Sequence, residues 1–122
     1  MFVAFCLFHP FALAWDISKV NVISKKLPKS VNEAVERLVS ELSVKDKAAI
    51  ADMAYDELVD LNASFGAYIR NAFRLWSGND ELIESCRFVA RDKKLDKDGA
   101  SFAIIESLWK RLQKTHALRV VK

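Results

Sequence analysis

Six apolar residues, Val31, Ala34, Val35, Leu38, Val39 and Leu42, stand at positions i, i+3, i+4, i+7, i+8 and i+11. Only an α-helix with one buried face collects such a set on a single side. The helix also has a marked beginning. Leu27-Pro28-Lys29 breaks the chain, and Ser30-Val31-Asn32-Glu33 has the form of a capping box. In that motif the Ser30 hydroxyl takes the Glu33 amide and the Glu33 carboxylate reaches back to Ser30. A stripe this complete has to be covered, so the chain needs further helices to pack on it.

The sequence supplies them. Ser43, with Asp46 three residues on, opens a second, short helix whose apolar side is expected from Val44, Ala48 and Ile50, with Lys45 and Lys47 facing out. A third and longer one has Asp56, Glu57 and Asp60 in its first turns and Arg70 and Arg74 in its last, both favoured by the helix dipole. Leu58, Leu61, Phe65, Ile69, Ala72, Phe73 and Trp76 are its expected buried face. Gly66 in its middle costs about 1 kcal/mol relative to Ala, which predicts a crossing point where another backbone comes close. Ser77-Gly78-Asn79 ends the helix, and Asn79 can cap the next.

A fourth helix is expected over about residues 80–90, through Leu82, Ile83, Cys86 and Val89. After the charged loop 91–99, a fifth begins near Asp98 or Ser101 and buries Phe102, Ile105, Leu108, Trp109 and Leu112, while Leu118, Val120 and Val121 form a short apolar tail able to fold back. The expectation is an all-α fold, a compact, orthogonal or bundle-like array of about five helices in a single domain over residues 27–122. Composition agrees. A chain of 122 residues that is 52% hydrophobic can build a core, and three Gly and two Pro are too few for a β-sandwich.

Residues 1–26 differ in kind. Thirteen of the first fifteen are apolar, with only His9 and Pro10 excepted. The run is too short for a bilayer span, which takes about 20 apolar residues. Ala12-Leu13-Ala14 has a signal-peptidase form, but no Lys or Arg precedes it. Three readings compete: a weak signal peptide, a genuine hydrophobic segment, or an upstream extension from a misassigned start. Cys6 and Cys86 lie eighty positions apart without a CxxC, so no disulfide framework is indicated and the cytoplasm is the expected compartment, with export as the alternative if residues 1–14 act as a signal. Cys86 is expected to pack as a small hydrophobe.

Chemistry is poorly served. His9 and His116 belong to no metal-ligand cluster, and the three glycines stand apart, so neither a metal site nor a phosphate-binding loop is expected. Asp56, Glu57 and Asp60 sit where a helix start wants acids. A Cys86–His116 nucleophilic pair lacks an orienting third group. No catalytic residue and no cofactor is assigned, and the reading leans away from an enzyme. Net charge is +3, with twelve Lys and Arg against seven Asp and Glu over residues 62–122. The basic end, Lys110, Arg111, Lys114, Arg119 and Lys122, suits a helix C-terminus and leaves only a weak nucleic-acid alternative.

The densest stretch is residues 66–76, where bulky aromatics alternate with Arg and Asn. Tyr68, Arg70, Asn71 and Trp76 are the candidate binding residues, because Tyr, Trp and Arg are enriched at interaction hot spots. The competing reading makes Arg70 a partly buried structural cation paired with a carboxylate.

Phe65-Gly66-Ala67-Tyr68-Ile69-Arg70-Asn71, Phe73, Leu75-Trp76 and Gly78-Asn79, after Leu27-Pro28 and the first helix, resemble a family of small bacterial domains of unknown function with a G-x-x-I-R-N-x-F-G-L-W signature. The likeness continues through Asp98-Gly99-Ala100-Ser101, Ile104-Ile105 and Leu108-Trp109, covering about residues 27–116. Arg74 stands where that signature favours Gly, and Asn62 where a His is frequent. The resemblance implies no activity and sets residues 1–26 outside the domain. The function expected is a non-enzymatic module that binds a protein partner or regulates one. The alternatives are a ligand-binding or enzymatic pocket around Arg70, Asn71 and Trp76, and weak nucleic-acid binding.

Overall fold

The computed structural model describes the backbone of residues 26–121 and the side chains of residues 26–115. The expected hydrophobic segment at residues 1–26, apart from Lys26, lies outside the described residues, as do Cys6, His9 and the side chain of His116. Five helices follow one another: α1 Val31–Glu41, α2 Val44–Ala51, α3 Glu57–Ala72, α4 Asp80–Ala90 and α5 Lys97–Val121. No strand occurs among the described residues. The all-α, five-helix, single-domain expectation holds.

The helix starts follow local chemistry. Ser30 Oγ accepts the Glu33 amide at 3.1 Å, and Ser43 Oγ accepts the Asp46 amide at 3.0 Å. The reciprocal half of the first cap differs from expectation by one residue: the Glu33 carboxylate accepts from Lys29 N at 2.9 Å, not from Ser30. α5 begins at Lys97, slightly earlier than either expected start, because Asp96 Oδ1 accepts the Gly99 amide at 2.9 Å and caps the helix there.

α5 is the organising element. It packs against all four other helices and contributes Ala100, Ala103, Ile104, Ile105, Leu108 and Leu112 to the core. Opposite stand Val31, Ala34, Val35 and Leu38 of α1, Ile50 of α2, Leu58, Leu61, Phe65 and Ile69 of α3, and Leu82 and Cys86 of α4. α5 also satisfies polar groups near the end of α2: Trp109 Nε1 donates to Met53 O at 3.0 Å and Gln113 Nε2 to Ala51 O at 3.3 Å. The tail at Leu118–Val121 does not fold back as a separate segment, since the backbone stays helical through Val121.

Three assignments of the apolar faces need correction. Val44 is 64% exposed, while Asp46 beside it is buried; the cap geometry at Ser43, not hydrophobicity, orients the first turn of α2. Val89 is half exposed although the pattern places it with Leu82 and Cys86. Trp76 is 57% exposed, because α3 stops at Ala72 and the chain has already turned.

Candidate functional site

Asn62, Gly66 and Arg70 stand four residues apart on α3 and so form one row along its surface. Facing them is the first turn of α5. Arg70 Nη1 donates to Ser101 Oγ at 2.8 Å, and its Nε lies 3.5 Å from Asp98 Oδ1. Ser101 Oγ, fully buried, has Asn62 Oδ1 at 2.7 Å and Asp98 O at 3.0 Å within donating reach. Asn62 Nδ2 donates to Asp98 O at 3.2 Å. The two polar side chains thus reach past position 66 to the same hydroxyl.

That explains the glycine. A Cβ on Gly66 would lie 2.1 Å from Asn62 Oδ1 and 3.1 Å from Arg70 Nη1. The expected backbone crossing is replaced by a crossing of side chains: Gly66 leaves room for the polar network that joins α3 to α5. The Arg70 side chain is only 11% exposed and Asp98 63% exposed, so the guanidinium is largely withdrawn from water while its carboxylate partner is not.

Asn71 and Trp76 lie on the open side of the same junction. Trp76 Nε1 donates to Asn71 Oδ1 at 2.9 Å, and Lys97 Nζ sits 4.7 Å from the indole centroid. The turn that carries Trp76 is tight. Phe73 N bonds to Ile69 O and Leu75 N to Arg70 O, both at 2.9 Å, with Arg74 in the left-handed region at φ 58°. Such a helix ending favours glycine at that position, where no Cβ opposes a positive φ. An arginine there holds a conformation that its Cβ makes costly. Gly78, at φ 97°, then turns the chain into α4.

Asn79 closes this corner from inside. Its Oδ1 accepts Leu82 N at 3.4 Å, and its Nδ2 donates to Pro28 O at 3.0 Å and Phe73 O at 2.8 Å. One buried amide therefore ties the start of α1, the end of α3 and the start of α4.

The structure brings Arg70, Asn71 and Trp76 together at the N-terminus of α5, and sets Tyr68 apart. Tyr68 stacks on Phe65 at 5.9 Å and donates to Glu41 Oε1 at 3.1 Å, on the α1 side. Burial and the nearby Glu41 carboxylate both raise its hydroxyl pKa above the ordinary tyrosine value. Sequence reasoning passed over Ser101, Lys97 and Asp98. The signal available was the spacing of Asn62, Gly66 and Arg70, a gap flanked by two polar residues on one helix row. Cys86 is fully buried, and burial pushes its thiol up to about 12.

Among the described residues, no three His, Cys, Asp or Glu side chains converge as a metal site would require, and no helix is long and apolar enough to cross a membrane.

The family described as a domain of unknown function (DUF6794) matches residues 27–112. The chain belongs to this family. The DUF6794 match begins at the break before α1 and ends at Leu112, the last core residue of α5 among those described. No curated protein and no solved structure matches the chain.

Proposed function

We propose that this DUF6794 chain is a non-enzymatic module that binds a protein partner through the face centred on Trp76. The observation that carries this is an aromatic side chain 57% exposed and yet held at both ends, by the Asn71 hydrogen bond and by Lys97 over its ring. A tryptophan fixed before binding loses little side-chain freedom when a partner covers it, which favours affinity. Arg70 takes a positioning part in this reading. Its hydrogen bond to Ser101 and the ion-pair approach of Asp98 hold the first turn of α5, and with it Lys97, against α3. The same inward commitment gives an anion pocket at Arg70 little support. Placement in the cytoplasm rests on cysteine use alone, two cysteines far apart in sequence with Cys86 free and buried.

The test is affinity capture from the native host with the tagged full chain and its Trp76→Ala variant, alongside thermal melts of both. A specific protein captured by the native chain and reduced about thirtyfold by the substitution, the size of a loss of roughly 2 kcal/mol at a hot spot, supports the reading. Equal capture by both proteins, with melting temperatures alike, overturns it.

A further inference from the structure

The last turn of α4 presents an apolar pair that the fold does not use. Phe88 is 83% exposed and Val89 49% exposed. Beside them the chain turns sharply: Arg91 takes φ 57°, and its amide bonds back to Phe88 O at 3.2 Å. This turn makes one wall of an open groove of about 820 Å³, with Phe88 and Val89 in its lining. The charges around it are unequal. Glu84 pairs with Arg87 at 2.9 Å, and the Asp92 carboxylate, whose Oδ1 accepts the Lys94 amide at 3.0 Å, keeps its charge and stands against two cations, so the lining carries a net +1. Arg91 and Lys93, both at the groove, are exposed and make no ion pair among the described residues.

We infer that this groove is a second docking surface, separate from the Trp76 face, and that it takes a short acidic segment of a partner protein whose apolar side chains seat against Phe88 and Val89. Charge complementarity selects the occupant. A second copy of the chain would bring the unpaired cations of both copies into one interface, and like charges brought together oppose association. The chain's own residues 1–25 carry one acid, Asp16, against Lys19 and Lys25, and so supply no complementary charge. A bilayer surface is flat, whereas this site is concave. An acidic, apolar peptide satisfies both the groove and its charge.

The test selects phage-displayed random peptides of roughly 12 residues on the full chain, then measures binding of an enriched peptide by fluorescence anisotropy at rising salt. Enrichment of sequences with Asp or Glu around Leu, Phe or Trp is the expected result. Phe88→Ser should weaken the peptide about tenfold. The double variant Arg91→Ser/Lys93→Ser should weaken it and flatten the salt dependence. Trp76→Ala should leave it unchanged, which separates this surface from the proposed Trp76 face. All the substituted side chains face solvent, and matching circular dichroism melts check that each variant folds. Enriched peptides without acids, or binding indifferent to Phe88→Ser, would overturn the inference. So would self-association in sedimentation abolished by Phe88→Ser, which assigns the groove to a second copy. Phe88-dependent binding to phosphatidylserine vesicles with no peptide binding would assign it to a membrane instead.

Discussion

Arg74 and Gly66 show how much a single position carries in this chain. Arg74 sits at φ 58°, where an L-residue is disfavoured by roughly 1 kcal/mol relative to Gly. Arg74→Gly is therefore expected to stabilise the protein by about 0.5–1 kcal/mol, read as an upward shift of the urea midpoint with unchanged slope. Gly66→Ala should act in the other direction. Its Cβ would displace Asn62 Oδ1, and the loss of the Asn62 bonds to Ser101 and Asp98 should cost about 1–3 kcal/mol. Arg70→Met removes a bond to a buried hydroxyl. Truncating one partner of a fully buried ion pair costs about 3–5 kcal/mol, but Asp98 is 63% exposed and rehydrates when its partner is gone. A loss of about 1.5–3 kcal/mol is expected instead, from the charge-assisted bond to Ser101. A chemical denaturation series on the three variants checks all these signs.

Among the elements, the junctions carry more than the helices themselves. α1 is a plain amphipathic helix, whereas the corner between α3 and α4 depends on Asn79 meeting Pro28, Phe73 and Leu82 at once. Asn79→Ala removes a helix cap and leaves two carbonyls without that partner in a buried place. The expected loss is about 2–4 kcal/mol, well above that of an ordinary cap. Measured by thermal melts, a loss below about 1 kcal/mol would show that another group replaces the amide. Ser43→Ala, at an exposed cap on the short α2, should stay near the ordinary value of about 1 kcal/mol.

For the whole molecule, stability should fall on the alkaline side. Burial raises the Cys86 thiol from 9.0 to about 12, and Tyr68 is raised too. In the unfolded chain the thiol loses its proton near pH 9 while the folded protein still keeps it. The unfolded state then binds fewer protons, so unfolding becomes easier as pH rises from about 9 to 12, and this contribution is fully present below pH 9. Urea midpoints measured across that range should decline, and Cys86→Ala should flatten the first part of the decline. Removing residues 1–25 should leave the melting temperature nearly unchanged, because the family match starts at residue 27 and the described core residues span 28–112. A loss of more than about 2 kcal/mol, the scale of burying one large apolar side chain, would show that the Phe-rich segment packs into it.

What the sequence determined by itself is the local part: five helices, their caps at Ser30, Ser43 and Asn79, the apolar stripe of α1 and the glycine-assisted turn before α4. These follow from periodicity and from hydrogen bonds within a few residues, which a linear pattern records. The tertiary structure decided which faces are covered. Val44, Val89 and Trp76 look like core residues by spacing, yet each stands exposed, since burial depends on where a neighbouring helix runs and spacing does not encode that. It also decided the role of Gly66. The reason for that glycine is Ser101, thirty-five positions away, and only the packing of α5 on α3 brings the hydroxyl within reach of Asn62 and Arg70.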